Sequence, residues 1–377
     1  MDDRKKRTWA EISLSAIERN YRAMRAELPE GCRFLGVVKA NAYGHGALEV
    51  ASRLEEIGCE YLAVACLDEA RQLRAGGITL PILILGYTPP EYAPELAQLH
   101  ITQAVGSAAM AESMSAALAG TAEPLKVHLK LETGMGRTGF RVFGDWNAAD
   151  VAADVAAVMN LPSLQAEGVF THFCVSDGDE QTRQFTSVQF DRFREAVRAI
   201  EAAAGREFLI HHCTNSGAML SFPETYWDMV RPGVSLYGMY PGEDRARVAL
   251  EPAMTLKTRV AFVEHHEPGD TVSYGRTFTV EKPSEIAVLP IGYADGLHRA
   301  LSGKLTVSIN GKHAPQVGRI CMDMCMADVT GLDVKPGDEV EIFGREMPID
   351  DVAEKAGTIH YELTCAVSPR VPRVYVD

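Results

Sequence analysis

Lys39 stands in the run VVKANAYGHG, residues 37–46. Two valines lead into it and a glycine-punctuated stretch leaves it, the pattern of a buried strand ending in a turn. An ammonium group held beside apolar walls loses its proton more readily than in water. A neutral amine condenses with a carbonyl to a Schiff base. The plain alternative is a lysine whose head reaches solvent from a strand end. Two other short runs offer places for an anion. In HHCTNSGAM, Asn215, Ser216 and Gly217 open a short helix with free N–H groups, and in RPGVSLYG, Gly233 and Val234 offer two more. Each of these runs is equally an ordinary cap or turn.

These residues need a frame that gathers them on one face. From residue 32 to about 240, apolar strand-like runs alternate with amphipathic helix patterns. The runs are CRFLGVV (32–38), YLAVAC (61–66), PILILG (81–86), ITQAV (101–105), LKVHLKL (125–131), LQAEGVFTHF (164–173), EFLIHH (207–212) and a short WDMVRPG (227–233). Eight such units predict an α/β fold, a (β/α)8 TIM-like barrel. Active sites of these barrels form at the C-terminal ends of the strands, with phosphate usually bound near the seventh and eighth. Lys39 and both anion loops then share a face. A lysine partner with a carbonyl and a phosphate arm points to pyridoxal 5'-phosphate. After residue 245 the texture changes to β-rich runs broken by P-G, N-G and P-G-D turns, with Asn310-Gly311 the clearest hairpin. This predicts a barrel over 1–244 and a mostly antiparallel C-terminal β domain over 245–377. The N-terminal strand segment, 7–13, is a candidate member of the β domain.

Composition narrows the function classes. The net charge of -14 argues against nucleic-acid and anionic-membrane partners, though not against a local basic pocket. The eight cysteines are scattered, several in strand-like runs, as reduced core thiols would be. CMDMC has poor zinc spacing and no second pair, so no metal is expected. The first residues carry charge but no apolar signal core, and no run is long enough to span a bilayer, which predicts a cytoplasmic protein.

Eight blocks in order, VVKANAYGHG, KLETGMGRTG, THFCVSD, RPGVSLYG, SYGRTF, IGYADG, VGRICMDM and TIHYEL, give the chain a resemblance to the bacterial alanine racemases, from about residue 7 to 373. The resemblance implies that Lys39 holds pyridoxal phosphate as an internal aldimine. It implies that Tyr43, Ser216, Gly233, Val234 and Tyr361, with Asn215 beside them, form the phosphate site. Arg231 then faces the pyridine nitrogen, His172 bonds Arg231, and His212 orients the second base, Tyr274. Arg137 and the Met322 main chain match contacts for the substrate carboxylate, with Asp323 as a supporting residue. Lys130 matches a lysine often carbamylated to steer Arg137. Asp177, Tyr293 and Arg299 match the substrate entrance. The family forms a head-to-tail homodimer in which Tyr274 and Met322 reach the partner's site, and its product, D-alanine, supplies peptidoglycan. Two departures stand out: Glu132 where the family usually has aspartate, and Met324 where CMDQ is common.

Racemisation removes a proton from one face of the α-carbon and returns one to the other. Two bases on opposite faces, which the resemblance makes Lys39 for the D isomer and Tyr274 for the L isomer, need not move to do this. A tyrosine base, with a free pKa of about 10, needs cationic or hydrogen-bonding neighbours. An arginine at the ring nitrogen only donates and stays charged, which favours an unprotonated pyridine. Three other functions compete: a serine racemase, since a small pocket discriminates poorly against one hydroxyl; a non-catalytic pyridoxal-phosphate binder; and an amino-acid decarboxylase. Other residues read as structural. His128 is a core or barrel-wall histidine, Tyr237 and Tyr240 are packing aromatics, and His265 and His266 are solvated.

Overall fold

A computed structural model of the chain describes residues 3–144, 148–242 and 247–377. It divides into two compact units, Glu18–Ala42 with Ala47–Leu250, and Met1–Ile17 with Tyr43–Gly46 and Glu251–Asp377. The boundary expected at residues 244 and 245 lies outside the described residues.

The first unit is the barrel. Its strands are β1 (Arg33–Val37), β2 (Tyr61–Val64), β3 (Ile82–Ile84), β4 (Ile101–Val105), β5 (Leu125–Glu132), β6 (Leu164–Phe170), β7 (Ile210–His212) and β8 (Met229–Val230). They lie in the order β8-β1-β2-β3-β4-β5-β6-β7, all parallel. Runs such as Leu62–Val64 and Ile82–Ile84 are buried throughout, as strands covered on both faces must be. β8 is short because Pro232 follows it and contributes no N–H to a ladder. The ring closes through two main-chain bonds, from Asp228 N to the His211 carbonyl (3.1 Å) and from Arg231 N to the Thr214 carbonyl (2.8 Å).

The long helix Glu180–Ala204 shows how sequence sets these elements. Asp179 caps it by accepting from Thr182 N at 2.8 Å, and Gly205, left-handed at φ 67, ends it. Thr186, Gln189, Phe193, Val197 and Ile200 are its buried stripe. The helix is pinned outside β7 by His211, which bonds Glu201 at 2.8 Å and Asp228 at 2.6 Å and stacks on Trp227.

Part of the barrel is polar. Tyr61 bonds Thr102 (2.8 Å) and Glu167 (3.2 Å), and Lys126 bonds Glu167 (2.8 Å). His128, fully buried, meets His212 at 2.8 Å. Gly168 makes room for that histidine: a Cβ there would lie 2.8 Å from the His128 ring. Burial disfavours a charged Glu167, but His128 and Lys126 outweigh it and bring its pKa down to about 2.

The second unit is a nine-stranded sheet. Its order is Phe262–His266, Ser284–Leu289, Cys325–Asp328, Lys312–Val317, Thr306–Ile309, Glu339–Phe343, Met254–Arg259, Thr8–Ser13 and Arg373–Val376. Every pair is antiparallel except the last. The predicted hairpin forms with Ile309 opposite Lys312, and Asn310 (φ 50) and Gly311 (φ 74) supply the two positive φ angles of a two-residue turn.

Asp295, fully buried, ties together the loops of this unit. Arg7 reaches its two oxygens at 2.8 and 2.9 Å, Arg370 Nε bonds Oδ1 at 2.7 Å, and Gly292 N donates to Oδ2 at 2.9 Å. Arg370 also bonds the Asp323 carboxylate, and Arg7 the Asp323 carbonyl. Burial opposes the Asp295 charge, but the bonds from Arg7, Arg370 and Gly292 hold its pKa below the ordinary carboxylate range. A depressed folded pKa stabilises the fold above the unfolded value of about 3.9, and that stability is lost as pH falls through the folded value. Replacing Asp295 by Asn should therefore cost about 2–3 kcal/mol near neutral pH. The gap to wild type should narrow below about pH 4, as urea unfolding at the two pH values would reveal.

Candidate active site

Lys39 follows β1, at the C-terminal end of the barrel, as the sequence predicts. β1 is anchored there by Val38 N on the Ala63 carbonyl (2.8 Å) and by the Tyr237 hydroxyl on the Val37 carbonyl (2.8 Å). Tyr237 thus does more than pack. Beyond Lys39 the chain enters a left-handed helical turn: Ala40, Asn41, Ala42 and Tyr43 have φ of 53, 54, 54 and 52°. Left-handed helix costs an L-residue roughly 1–2 kcal/mol, so four in succession need outside support. Ala40 N donates to Glu69 at 2.6 Å, and the Asn41 side chain accepts from Ala47 N at 2.8 Å. Within the sheet unit, a Cβ on Gly44 would lie 2.0 Å from the Thr364 carbonyl oxygen, so only glycine fits.

Arg231, which follows β8, is buried at 4 % exposure. Its NH1 donates to His212 Nδ1 (2.9 Å), and its NH2 donates to the Thr171 (2.7 Å) and Cys213 (3.2 Å) carbonyls. Among the described residues no carboxylate bonds it and Nε has no acceptor. Burial brings its pKa down to about 10. Because Arg231 only donates, His212 Nδ1 must accept, which leaves Nε2–H to donate to His128 Nδ1. Burial and Arg231 keep His212 neutral. Both its ring nitrogens are occupied. This corrects two expectations: His212 bonds Arg231 and does not orient a tyrosine, whereas His172 makes no ring hydrogen bond among the described residues. His172 is held neutral by burial first and then by Arg231, Arg137, Lys39 and Lys130.

Those same basic groups act on Lys130. Burial first, then Arg137, Arg231 and Lys39, bring its pKa down to about 8, against the opposing pull of Glu132. Its ammonium donates to the Thr138 hydroxyl. Arg137 is exposed, and its guanidinium has no partner among the described residues. The barrel mouth therefore carries four basic side chains within electrostatic reach of one another.

The two anion loops meet through Ser216, whose hydroxyl accepts from Gly233 N at 2.8 Å. Ser216, Gly217 and Val234 keep main-chain N–H groups that bond nothing among the described residues. Gly217 is backed so closely that a Cβ would lie 2.7 Å from the Ser176 hydroxyl. Asn215 shapes this loop: its side chain accepts from Ala218 N (3.0 Å) and Ser176 Oγ (2.7 Å) and donates to the Phe173 carbonyl (3.1 Å). Asp177 is exposed nearby, beside Gly217. A cradle of free N–H groups, with a buried donor-only cation lacking an anion, suits a phosphorylated aromatic heterocycle with a basic ring nitrogen.

The sheet unit holds the other expected residues. Burial first, then Cys365 and Tyr361, raises the Tyr43 pKa, which places Tyr43 and Tyr361 in one neighbourhood. Tyr274 is 72 % exposed on the turn Tyr274–Arg276. The residue before it, Ser273, has φ 69 and ψ -178, a region nearly restricted to glycine that costs about 1–3 kcal/mol. The Ser273 hydroxyl bonds the Arg319 carbonyl at 2.7 Å and fixes this turn. Tyr293 N and Ala294 N donate to the Cys321 and Met322 carbonyls, both at 3.0 Å, so the Tyr293 and Met322 loops are tied to each other. The Asp295 cluster braces both. Met322 N has no partner among the described residues, and Arg299 is exposed on the short helix that follows.

Comparisons with known proteins agree along the whole chain. The model described as "Alanine racemase, N-terminal domain" matches residues 12–241, and that described as "Alanine racemase, C-terminal domain" matches 253–375. A protein of Desulfovibrio desulfuricans named alanine racemase is 46 % identical over 372 residues, 98 % of each chain. The solved alanine racemase of Clostridium difficile 630 has a TM-score of 0.92 and 39 % identity, covering 98 % of this chain and 96 % of that one. The alanine racemase of Bacillus anthracis, solved with bound L-Ala-P, has a TM-score of 0.92 at 34 % identity, covering 99 % and 95 %. With the barrel, the sheet unit and both sets of side chains in place, the chain belongs to the alanine racemase family.

Proposed function

We propose that this protein interconverts L- and D-alanine with pyridoxal 5'-phosphate, acts in the cytoplasm and supplies D-alanine for peptidoglycan. The supporting observation is the charge of the barrel mouth. Lys39, Lys130, Arg137 and Arg231 lie within electrostatic reach of one another there, the two loops keep free N–H groups, and a phosphate and a substrate carboxylate are the anions that would answer this charge. In this reading Lys39, Tyr43, Ser216, Gly233, Val234, Arg231 and Tyr361 hold the cofactor, with Asn215 shaping the phosphate loop. Bound there, the cofactor would delocalise the electron pair left on the α-carbon by proton removal.

The chain's own residues supply the rest. Arg137 and Met322 N hold the substrate carboxylate. Lys39 Nζ and the Tyr274 hydroxyl exchange protons with the two faces of the α-carbon. Arg231, which can only donate and is held in place by His212, would favour an unprotonated ring nitrogen on the bound cofactor and so limit its side reactions. His172, neutral and with its ring free, is the better partner for Tyr274. Lys130 suits carbamylation, since a neutral amine is the reactive form and an anion there would relieve the repulsion with Arg137. Asp177, Tyr293 and Arg299 line the entrance. In D₂O with added cofactor and L-alanine, NMR and a chiral assay should show deuterated D-alanine. Lys39→Ala should abolish this together with the visible absorbance of bound cofactor. Tyr274→Phe should slow α-proton loss from L-alanine by about 10²–10⁴-fold, and from D-alanine less. Retained cofactor absorbance in Lys39→Ala would sink its assigned role.

The working form is proposed to be a homodimer in which Tyr274 and Met322 complete the partner's site. The support is a face of the sheet unit where Tyr274, Met322 and Met324 are exposed around a cavity of about 490 Å³ that Ile286, Val288 and Met326 also line. Mixing Lys39→Ala and Tyr274→Phe chains tests this. In shared sites each mixed dimer has one intact pair, so random exchange should restore about a quarter of wild-type activity. No recovery after verified exchange would show that each chain builds its own site.

A further inference from the structure

We propose that Glu132 is the positioning residue for Arg137: its carboxylate is the core around which the turn carrying Arg137 is wound. Glu132 ends β5 and is 7 % exposed. Its side chain folds forward and accepts three main-chain N–H bonds, from Gly134 (2.7 Å) and Met135 (2.6 Å) on one oxygen and from Arg137 (2.7 Å) on the other. The turn is fixed at its other side as well. Thr133 bonds Thr171 through its hydroxyl (2.7 Å), and Arg192 donates to the Thr133 carbonyl at 2.9 Å.

The inference rests on the assignment of Arg137 to the substrate carboxylate. The unmodified side chains among the described residues give the Arg137 guanidinium no hydrogen-bond partner to orient its tip. The placement of its main chain then decides where the charge is presented, and that placement depends on Glu132. Charge-assisted bonds of this kind are roughly twice as strong as neutral ones. The carboxylate is also required chemically. Its two oxygens face N–H groups, so an amide of the same shape must point an NH₂ group at one of them, and the turn has to open. Aspartate keeps both acceptors on a shorter stem and should rebuild the turn with a small shift.

The test compares wild type, Glu132→Gln, Glu132→Asp, Arg137→Ala and the Glu132→Gln/Arg137→Ala double variant as cofactor-loaded enzymes. Steady-state kinetics on alanine, thermal melting and the absorbance of bound cofactor are read for each. Glu132→Gln should raise KM about 10-fold with kcat within about 3-fold of wild type and cofactor absorbance unchanged. Glu132→Asp should stay within about 3-fold in KM. In the Arg137→Ala background Glu132→Gln should add less than about a 2-fold change, because the residues act through one contact. If Glu132→Gln lowers kcat as much as kcat/KM, leaves KM unchanged, or multiplies with Arg137→Ala, the inference is overturned while the Arg137 assignment stands. If Arg137→Ala itself leaves KM unchanged, the assignment fails and takes the inference with it. Should Glu132→Gln not fold, Glu132→Asp alone decides in the Arg137→Ala cycle: a KM change as large in that background as in wild type overturns it.

Discussion

A guanidinium removed from water, with no carboxylate among the described residues to meet it, is the constraint around which the barrel end is arranged. Burying a charge is expensive unless it is compensated. Among the described residues Arg231 meets only neutral acceptors: two carbonyls and His212. The tautomer of His212 follows from that contact, and through it that of His128, and Gly168 exists to admit the His128 ring. Further down, Glu167, Lys126 and Tyr61 form a second polar group. A barrel interior of aliphatic layers would be simpler to stabilise but could not hold a cation facing the mouth. The protein instead keeps a charge that is only partly satisfied, and the unmet part is the attraction it offers a ligand.

The same logic appears where the backbone is strained. Ala40–Tyr43 and Ser273 occupy conformations that L-residues avoid, next to the two side chains proposed to exchange protons. Each is braced by specific bonds: Glu69 and Asn41 at the first, the Ser273 hydroxyl at the second. Strain that is held by surrounding contacts over-determines where a side chain starts. For Lys39 and Tyr274 it limits the positions their reactive atoms can take.

Much of this was legible in the sequence and some was not, for identifiable reasons. All eight barrel strands follow from apolar runs between helical patterns, and the Asn310-Gly311 turn from its φ requirements. β8 shrank to two residues because Pro232 cannot continue a ladder. The left-handed turn was invisible, since only Asn41 and Gly44 favour such angles while Ala40, Ala42 and Tyr43 do not. The contact with Arg231 was assigned to His172 and not to His212 because two histidines at strand ends look alike until the barrel decides which one faces the arginine. Glu132 looked like a mild substitution of one acid for another. Its three N–H partners lie two, three and five residues ahead, and the spacing E-T-G-M-G-R could have suggested a carboxylate folded into its own turn, with Gly134 and Gly136 supplying the tight bends.

The sheet unit draws its strands from the distant parts of the chain. Thr8–Ser13 lies between Met254–Arg259 and Arg373–Val376, so a segment made ahead of the barrel finds its neighbours only after some 250 and 360 further residues have followed. The barrel, by contrast, is built from one nearly continuous stretch. During vectorial synthesis the barrel can mature while Thr8–Ser13 remains an unpaired strand with exposed edges. The alternation of that strand, with Glu11 between Ala10 and Ile12, places one charge in a sticky segment during the wait. Changes in this short strand would therefore act twice, on the waiting nascent chain and on a folded sheet in which Trp9, Ala10 and Ile12 are fully buried.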